Sequence, residues 1–165
     1  MKRLMLMRHA KSSWGDESLP DFERPLNERG DRDAPRIGRE LVARNAMPDV
    51  IVTSTAVRAM QTVKLLCEQL GPNALAGVQQ VPSLYGASEE QILETAKSLP
   101  DFCSRALLVG HNPGMGELLA TLTGEPNEMK TATVACIAFD TKRWEEIEDA
   151  EGGLEWILYP GKLAE

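Results

Sequence analysis

Ala106-Leu107-Leu108-Val109-Gly110-His111-Asn112-Pro113 is the stretch that decides the fold. Its apolar run is too short for a helix and does not alternate, which is the pattern of a strand buried on both faces. Asn112 and Pro113 then signal a helix. The asparagine side chain can accept a first-turn N–H, and proline presets φ at the first helical position. A doubly buried strand passing directly into a helix is the building unit of a parallel sheet covered on both sides.

The same grammar repeats on either side. Lys2 to Met7 is short, apolar and bounded by charge, a first strand ending in Arg8-His9. Residues 10 to 27 carry Trp14-Gly15, Pro20 and Pro25 without sustained periodicity, and read as a long functional loop. Asn27 caps an amphipathic helix from about Glu28 to Arg44, with Ala34, Ile37, Leu41 and Val42 at helical spacing. Val50-Ile51-Val52 is a second strand, and Ser54 or Thr55 can cap a helix that runs to Leu70 and stops at Gly71-Pro72. Val78 to Leu84 reads as a strand, Glu89 to Ser98 as a helix capped by Ser88, and the helix after Pro113 reaches about Leu122. Thr131 to Phe139 and Leu154 to Tyr159 are further strands, the last with Leu154, Trp156 and Leu158 on one face. The expectation is an α/β protein, a three-layer sandwich with a mostly parallel central sheet flanked by helices, forming one domain over residues 1–165.

Composition narrows the function classes. With 42% hydrophobic and 26% charged residues the chain has the make-up of a globular protein. No apolar run approaches the roughly 20 residues a bilayer span needs, and Arg8-His9 interrupts the apolar start too early for an export signal. A cytoplasmic protein without membrane contact is expected. Cys67, Cys103 and Cys136 are widely spaced and unpaired in pattern, so they read as buried reduced thiols. A net charge of -7 argues against a nucleic-acid partner, which would demand a basic footprint. Any site for an anion must therefore be local.

Such a site collects at three strand ends. The first strand ends in Arg8-His9, the second places Arg58 in the first turn of the following helix, and the third ends at His111. These are the only two histidines of the chain, and both fall where an open α/β sheet exposes its ligand-binding rim. Arg58 faces the positive end of its helix dipole, which calls for a nearby negative charge. Two guanidiniums, two imidazoles and two helix N-termini suit a compact dianion, and the guanidinium fork matches phosphate oxygens. An imidazole of pKa about 6.5 beside two arginines is pushed towards its neutral, nucleophilic form. His9 would then attack phosphorus, with Arg8, Arg58 and His111 holding the equatorial oxygens.

Leu6-Met7-Arg8-His9-Ala10 resembles the RHG signature of the histidine phosphatase superfamily, with alanine where glycine is usual. Ser54 to Thr62 resembles its second motif, and Val109-Gly110-His111-Asn112-Pro113-Gly114 its third. Arg8-His9-Ala10-Lys11-Ser12, Arg24-Pro25-Leu26-Asn27-Glu28-Arg29-Gly30 and the GHNPG stretch look most like SixA-type phosphohistidine phosphatases. The resemblance runs from Lys2 to about Leu163. It implies a phosphoglycerate mutase-like fold, His9 as phosphoacceptor, Arg8 and Arg58 as phosphate-gripping residues, His111 as a further catalytic residue, and no metal or other cofactor. The substrate it implies is a phosphorylated protein carrying phosphohistidine, or else a small phosphorylated molecule. Gly15, and Ala87-Ser88 after Leu84-Tyr85-Gly86, depart from the phosphoglycerate mutase branch, which carries asparagine and an acid there.

Other readings were open on the same residues. Asp16, Asp21 or Glu89 could supply a general acid, without which a phosphomonoester is a poor substrate and an N–P bond a better one. Lys11, Arg24 and Arg29 read as solvated charges, with Arg24 the best of them for a substrate contact, and Trp14 reads as a loop anchor with a buried ring. The acidic run Glu145 to Asp149 reads as a solvated face. No dinucleotide fingerprint or phosphate loop of the GxxxxGK type occurs. A metal-dependent hydrolase, or a phosphoprotein-binding module without turnover, are the rivals.

Overall fold

Successive residues of β1 (Lys2–Arg8) face different layers. Leu4 and Leu6 join one apolar cluster, Met5 and Met7 the other, and all four are fully buried. The structure, a computed structural model, describes residues 1–163. Five further strands follow, β2 (Val50–Thr53), β3 (Val78–Gln80), β4 (Arg105–Gly110), β5 (Val134–Phe139) and β6 (Gly152–Leu158). They form one sheet in the order β3-β2-β4-β1-β5-β6. β1, β2, β3 and β4 pair in parallel, and β5 runs antiparallel to both its neighbours. The sheet is therefore mixed but mostly parallel, as expected.

Helices cover both faces. α1 (Glu28–Ala43) and α2 (Val57–Leu70) bury Ala34, Ile37, Leu41, Ala59, Val63 and Leu66 against Met5, Met7, Leu107 and Val109. α3 (Glu89–Lys97) and α4 (Gly114–Thr123) bury Ile92, Ala96, Met115 and Leu118 against Leu4, Leu6, Ala106 and Leu108. Thus β1 and β4, neighbours in the sheet, send their following helices to opposite faces. That is a topological switch point, where α/β sheets open a crevice beyond the strand ends.

Local signals act largely as read. Asn27 accepts the Gly30 N–H at 2.9 Å, and Ser88 with Gln91 forms a complete capping box. Gly30 is enforced by packing, since a Cβ there would lie 2.3 Å from the Lys11 carbonyl oxygen; Gly114 meets the Ala87 carbonyl at the same distance. Both helices are seated directly on the backbone of other segments. The three cysteines are buried free thiols, and burial pushes each up to about 11.

Several expectations are corrected. The segment 78–84 is a strand only to Gln80; Pro82, with no N–H to give the ladder, opens a 3-10 turn over Pro82–Leu84. α2 is entered from Ala56 with no side-chain cap, and α4 from Pro113, so the Asn112 side chain accepts the later Gly116 N–H. The strand placed at Thr131 begins at Val134. In β6 a register shift opposite Cys136 and Ile137 skips Glu155, so Leu154 joins the opposite layer from Trp156 and Leu158. Among the described residues no helix is long and apolar enough to cross a membrane.

Candidate active site

β1 delivers Arg8 at its last position and His9 just beyond. The His9 N–H donates to the Gly110 carbonyl at 3.1 Å, and the Ser54 N–H to the Val109 carbonyl at 3.0 Å. The ends of β1, β4 and β2 are thereby locked side by side. The imidazoles of His9 and His111 stand with centroids 5.1 Å apart and planes tilted by 54°. Arg58, from the first turn of α2, directs its Nε at Nε2 of His9. Arg8, His9, Arg58 and His111 line one cavity of about 210 Å³, whose outer wall includes Lys11, Ser12, Trp14 and Arg24.

The surroundings fix the chemistry of each imidazole. Nδ1 of His9 lies 2.7 Å from the Ala10 carbonyl, which can only accept, so Nδ1 carries the proton and Nε2 keeps its lone pair. Ala10 is itself pinned, because its N–H donates to Thr62 Oγ1 while that hydroxyl donates to the Arg58 carbonyl. The methyl of Ala10 is absorbed into the apolar layer of α1 and α2, which accommodates alanine at the usual glycine position. Nε2 of His111 sits 2.7 Å from Ser54 Oγ, which also accepts the Ala56 N–H. The serine hydroxyl has no other acceptor among the described residues; donating its proton to Nε2 leaves Nδ1 of His111 as an N–H donor. Among the described residues that buried Nδ1, like Nε of Arg8, has no partner. Two buried unpartnered donors beside the Arg58 guanidinium describe a seat for anionic oxygens.

Burial pushes the His9 imidazole down to about 3, opposed by the Ala10 carbonyl and reinforced by His111, Arg58 and Arg8. His111 is pushed down to about 4 by burial, then by Arg58. Both rings are neutral at pH 7. The arginines favour that state, as the sequence suggests, but burial is the larger cause. Burial and Arg58 also lower Arg8.

The charge that offsets Arg58 at its helix N-terminus is Asp21. Its carboxylate lies 3.0 Å from Arg58 Nη2, and its backbone carbonyl 2.6 Å from Nη1. Tyr85 donates its hydroxyl to the same carboxylate at 2.7 Å. Tyr85, then Arg58, hold the Asp21 carboxyl down to about 2, against the effect of partial burial. Asp21 is thus ionised at neutral pH and has no proton to donate. Asp16, which is exposed, and Glu89, which is half-buried, are the other candidate acids; they bind Ser18 and Thr121 respectively and do not line the cavity.

Two surface readings are overturned. Arg24 is buried, tied to Ser12 Oγ, the Ser13 carbonyl and Asp21. Trp14 is 70% exposed, its ring held over the Arg24 guanidinium at 3.5 Å. The long loop hides a guanidinium, and the ring stacks on it instead of entering the core. Arg29 is exposed and paired with Asp33, and Lys11 is half-buried on the cavity wall. Ser54, Thr62 and Tyr85 were not singled out as site residues, since each acts through partners distant in sequence. Among the described residues no cluster of three potential metal ligands occurs.

Known proteins carry the same architecture. Residues 4–85 match the model of the histidine phosphatase superfamily, branch 1. An uncharacterised chloroplastic protein of Arabidopsis thaliana is 33% identical over 165 residues, covering 95% of this chain and 75% of that protein. Two solved structures carry the name SixA. That from Agrobacterium tumefaciens is 29% identical with a TM-score of 0.83, covering 97% of this chain and 99% of its own. That from Nakamurella is 27% identical with a TM-score of 0.82, covering 96% of each. From the strand order, the paired imidazoles and these likenesses together, the chain belongs to the histidine phosphatase superfamily, in its SixA-type branch.

Proposed function

We propose that the protein is a metal-independent phosphatase that works through a phosphohistidine intermediate on His9, with protein phosphohistidine as its substrate. The observation that carries this reading is the neutral His9 ring, whose Nδ1–H is committed to Ala10 and whose Nε2 lone pair opens on a cavity lined by two guanidiniums. In the first step Nε2 attacks phosphorus in line. A P–Nε2 bond forms, the bond to the leaving group breaks, and the leaving nitrogen takes the electron pair. Arg8, Arg58 and the Nδ1–H of His111 carry charge on the equatorial oxygens. In the second step water attacks phosphorus, inorganic phosphate leaves, and His9 regains its lone pair.

Leaving-group chemistry favours an N–P substrate. An alkoxide needs a proton donor, worth on the order of 100- to 10,000-fold in rate. The carboxyl that contacts Arg58, Asp21, is held ionised by Tyr85 and Arg58. An imidazole protonated on its other nitrogen leaves as a neutral ring and needs no such donor. A cation is disfavoured at the same place by Arg8 and Arg58.

The test compares turnover of a phosphohistidine protein, phosphoserine peptides and sugar phosphates, with and without chelator. Preference for phosphohistidine, unchanged by chelator, is expected. Preference for sugar phosphates would make the protein a small-molecule phosphomonoesterase, and binding without any turnover would make it a phosphoprotein-binding module.

A further inference from the structure

The catalytic cavity is small. At about 210 Å³ it falls below the range of roughly 300 to 1,000 Å³ typical of pockets that engulf a whole ligand. It takes a phosphoryl group on a slim stalk, and whatever carries that stalk stays outside. Exposed aromatic rings lie in and beside it: Trp14 in the cavity wall, and Tyr85 and then Phe22 reached from His111 through edge-on contacts. Phe22 packs edge-on to Tyr85 at 5.0 Å, and Tyr85 edge-on to His111 at 5.5 Å.

These rings are held in place. The inner face of Trp14 rests on Arg24, which is fixed in turn by Ser12, Ser13 and Asp21, and its outer face points to solvent. A rigid, solvent-facing tryptophan seated on a buried cation loses little freedom when a partner covers it, which is the property of an interface anchor. Next to Trp14 and Phe22 along the loop come the exposed carboxylates Asp16, Glu17 and Glu23. An acidic surround repels a nucleic-acid backbone and favours a surface edged with lysine or arginine.

We propose that Trp14 and Phe22 form a docking collar for a folded protein whose phosphorylated histidine emerges from an apolar patch bordered by basic residues. The proposal rests on the phosphohistidine phosphatase reading and adds the surface that selects the carrier of the phosphoryl group. Trp14 and Phe22 act on recognition of that carrier, and the phosphoryl chemistry stays with His9.

The experiment measures kcat and KM of the full chain and its Trp14→Ala and Phe22→Ala variants. The two substrates are free phosphohistidine and a folded domain phosphorylated on a lysine-flanked histidine. For the domain, KM should rise on the order of tenfold or more in Trp14→Ala, with a smaller change in kcat. The preference for the domain over free phosphohistidine should fall by the same order in that variant, and less in Phe22→Ala. A fall of equal proportion on both substrates would overturn the collar and make Trp14 part of a small-substrate site. Equal wild-type kcat/KM on the two substrates would overturn it as well. If the wild type turns over neither substrate, the phosphohistidine reading fails and the collar with it.

Discussion

Arg58 donates its Nε–H to Nε2 of His9 across 3.3 Å, so the cation that would grip the phosphate already holds the lone pair that would attack it. The other two nitrogens of the guanidinium are tied to Asp21. An incoming phosphoryl group would take over the Nε contact, while Asp21 holds the other two nitrogens and fixes the orientation of the guanidinium.

Removing that fork should be costly. Hydrogen bonds to charged groups contribute about 1.5 to 3 kcal/mol, so Arg58→Ala should lower kcat/KM by roughly 10- to 100-fold. Arg58→Lys should recover little, because an ammonium cannot span His9 and Asp21 together. Steady-state kinetics with an aryl phosphate decide this, and wild-type values in Arg58→Ala would remove the residue from the site.

Protonation gives a second prediction. Burial holds His9 near about 3 and His111 near about 4, below the unfolded value of about 6.5. Above pH 6.5 neither state takes up a proton at these rings. As pH falls from 6.5 towards 3 the unfolded chain binds protons that the folded chain refuses, so stability declines through that window. NMR titration of the only two histidines should find both rings neutral at pH 5.5, and urea midpoints should fall between pH 6.5 and 4. A midpoint near 6.5 for either ring would contradict the burial argument.

Ser54 sets the tautomer of His111 through its 2.7 Å contact with Nε2. In Ser54→Ala the ring is free to carry its proton on Nε2, which withdraws the donor from the cavity. Nitrogen chemical shifts should report a mixed tautomer, and kcat/KM should fall by about tenfold, the equivalent of one lost hydrogen bond to the phosphoryl oxygens. An unchanged tautomer with unchanged kinetics would make Ser54 purely structural.

Gly30 seats α1 directly on the loop that follows His9. A Cβ placed 2.3 Å from the Lys11 carbonyl forces backbone apart, so Gly30→Ala should cost about 1 to 3 kcal/mol. Thermal unfolding should shift down by several degrees, and activity should drop because Lys11 follows His9 by two positions. Wild-type Tm and kcat/KM would show that the loop yields freely.

The sheet was legible wherever burial leaves an unbroken apolar run, as in Leu4 to Met7 and Ala106 to Val109. His9, His111, Arg8 and Arg58 were legible because strand ends and a helix start expose them in an ordered set. Ser54 was hidden because a serine before a helix reads as a cap, while its hydroxyl proton serves a histidine 57 positions away. Asp21 and Trp14 lie in an aperiodic loop, where no spacing predicts that one carboxylate joins Arg24, Arg58 and Tyr85 or that an indole finds a guanidinium. The outer face of β6 was misread at Leu154 because a bulge leaves no mark in alternation.

The most direct test of His9 as phosphoryl acceptor is to quench the protein rapidly during turnover of a phosphohistidine substrate at alkaline pH and map the phosphorylated residue by mass spectrometry. Phosphate on Nε2 of His9, absent in His9→Ala although that variant still binds vanadate, is the predicted result. Turnover with no covalent label, or label on His111 in place of His9, would contradict it.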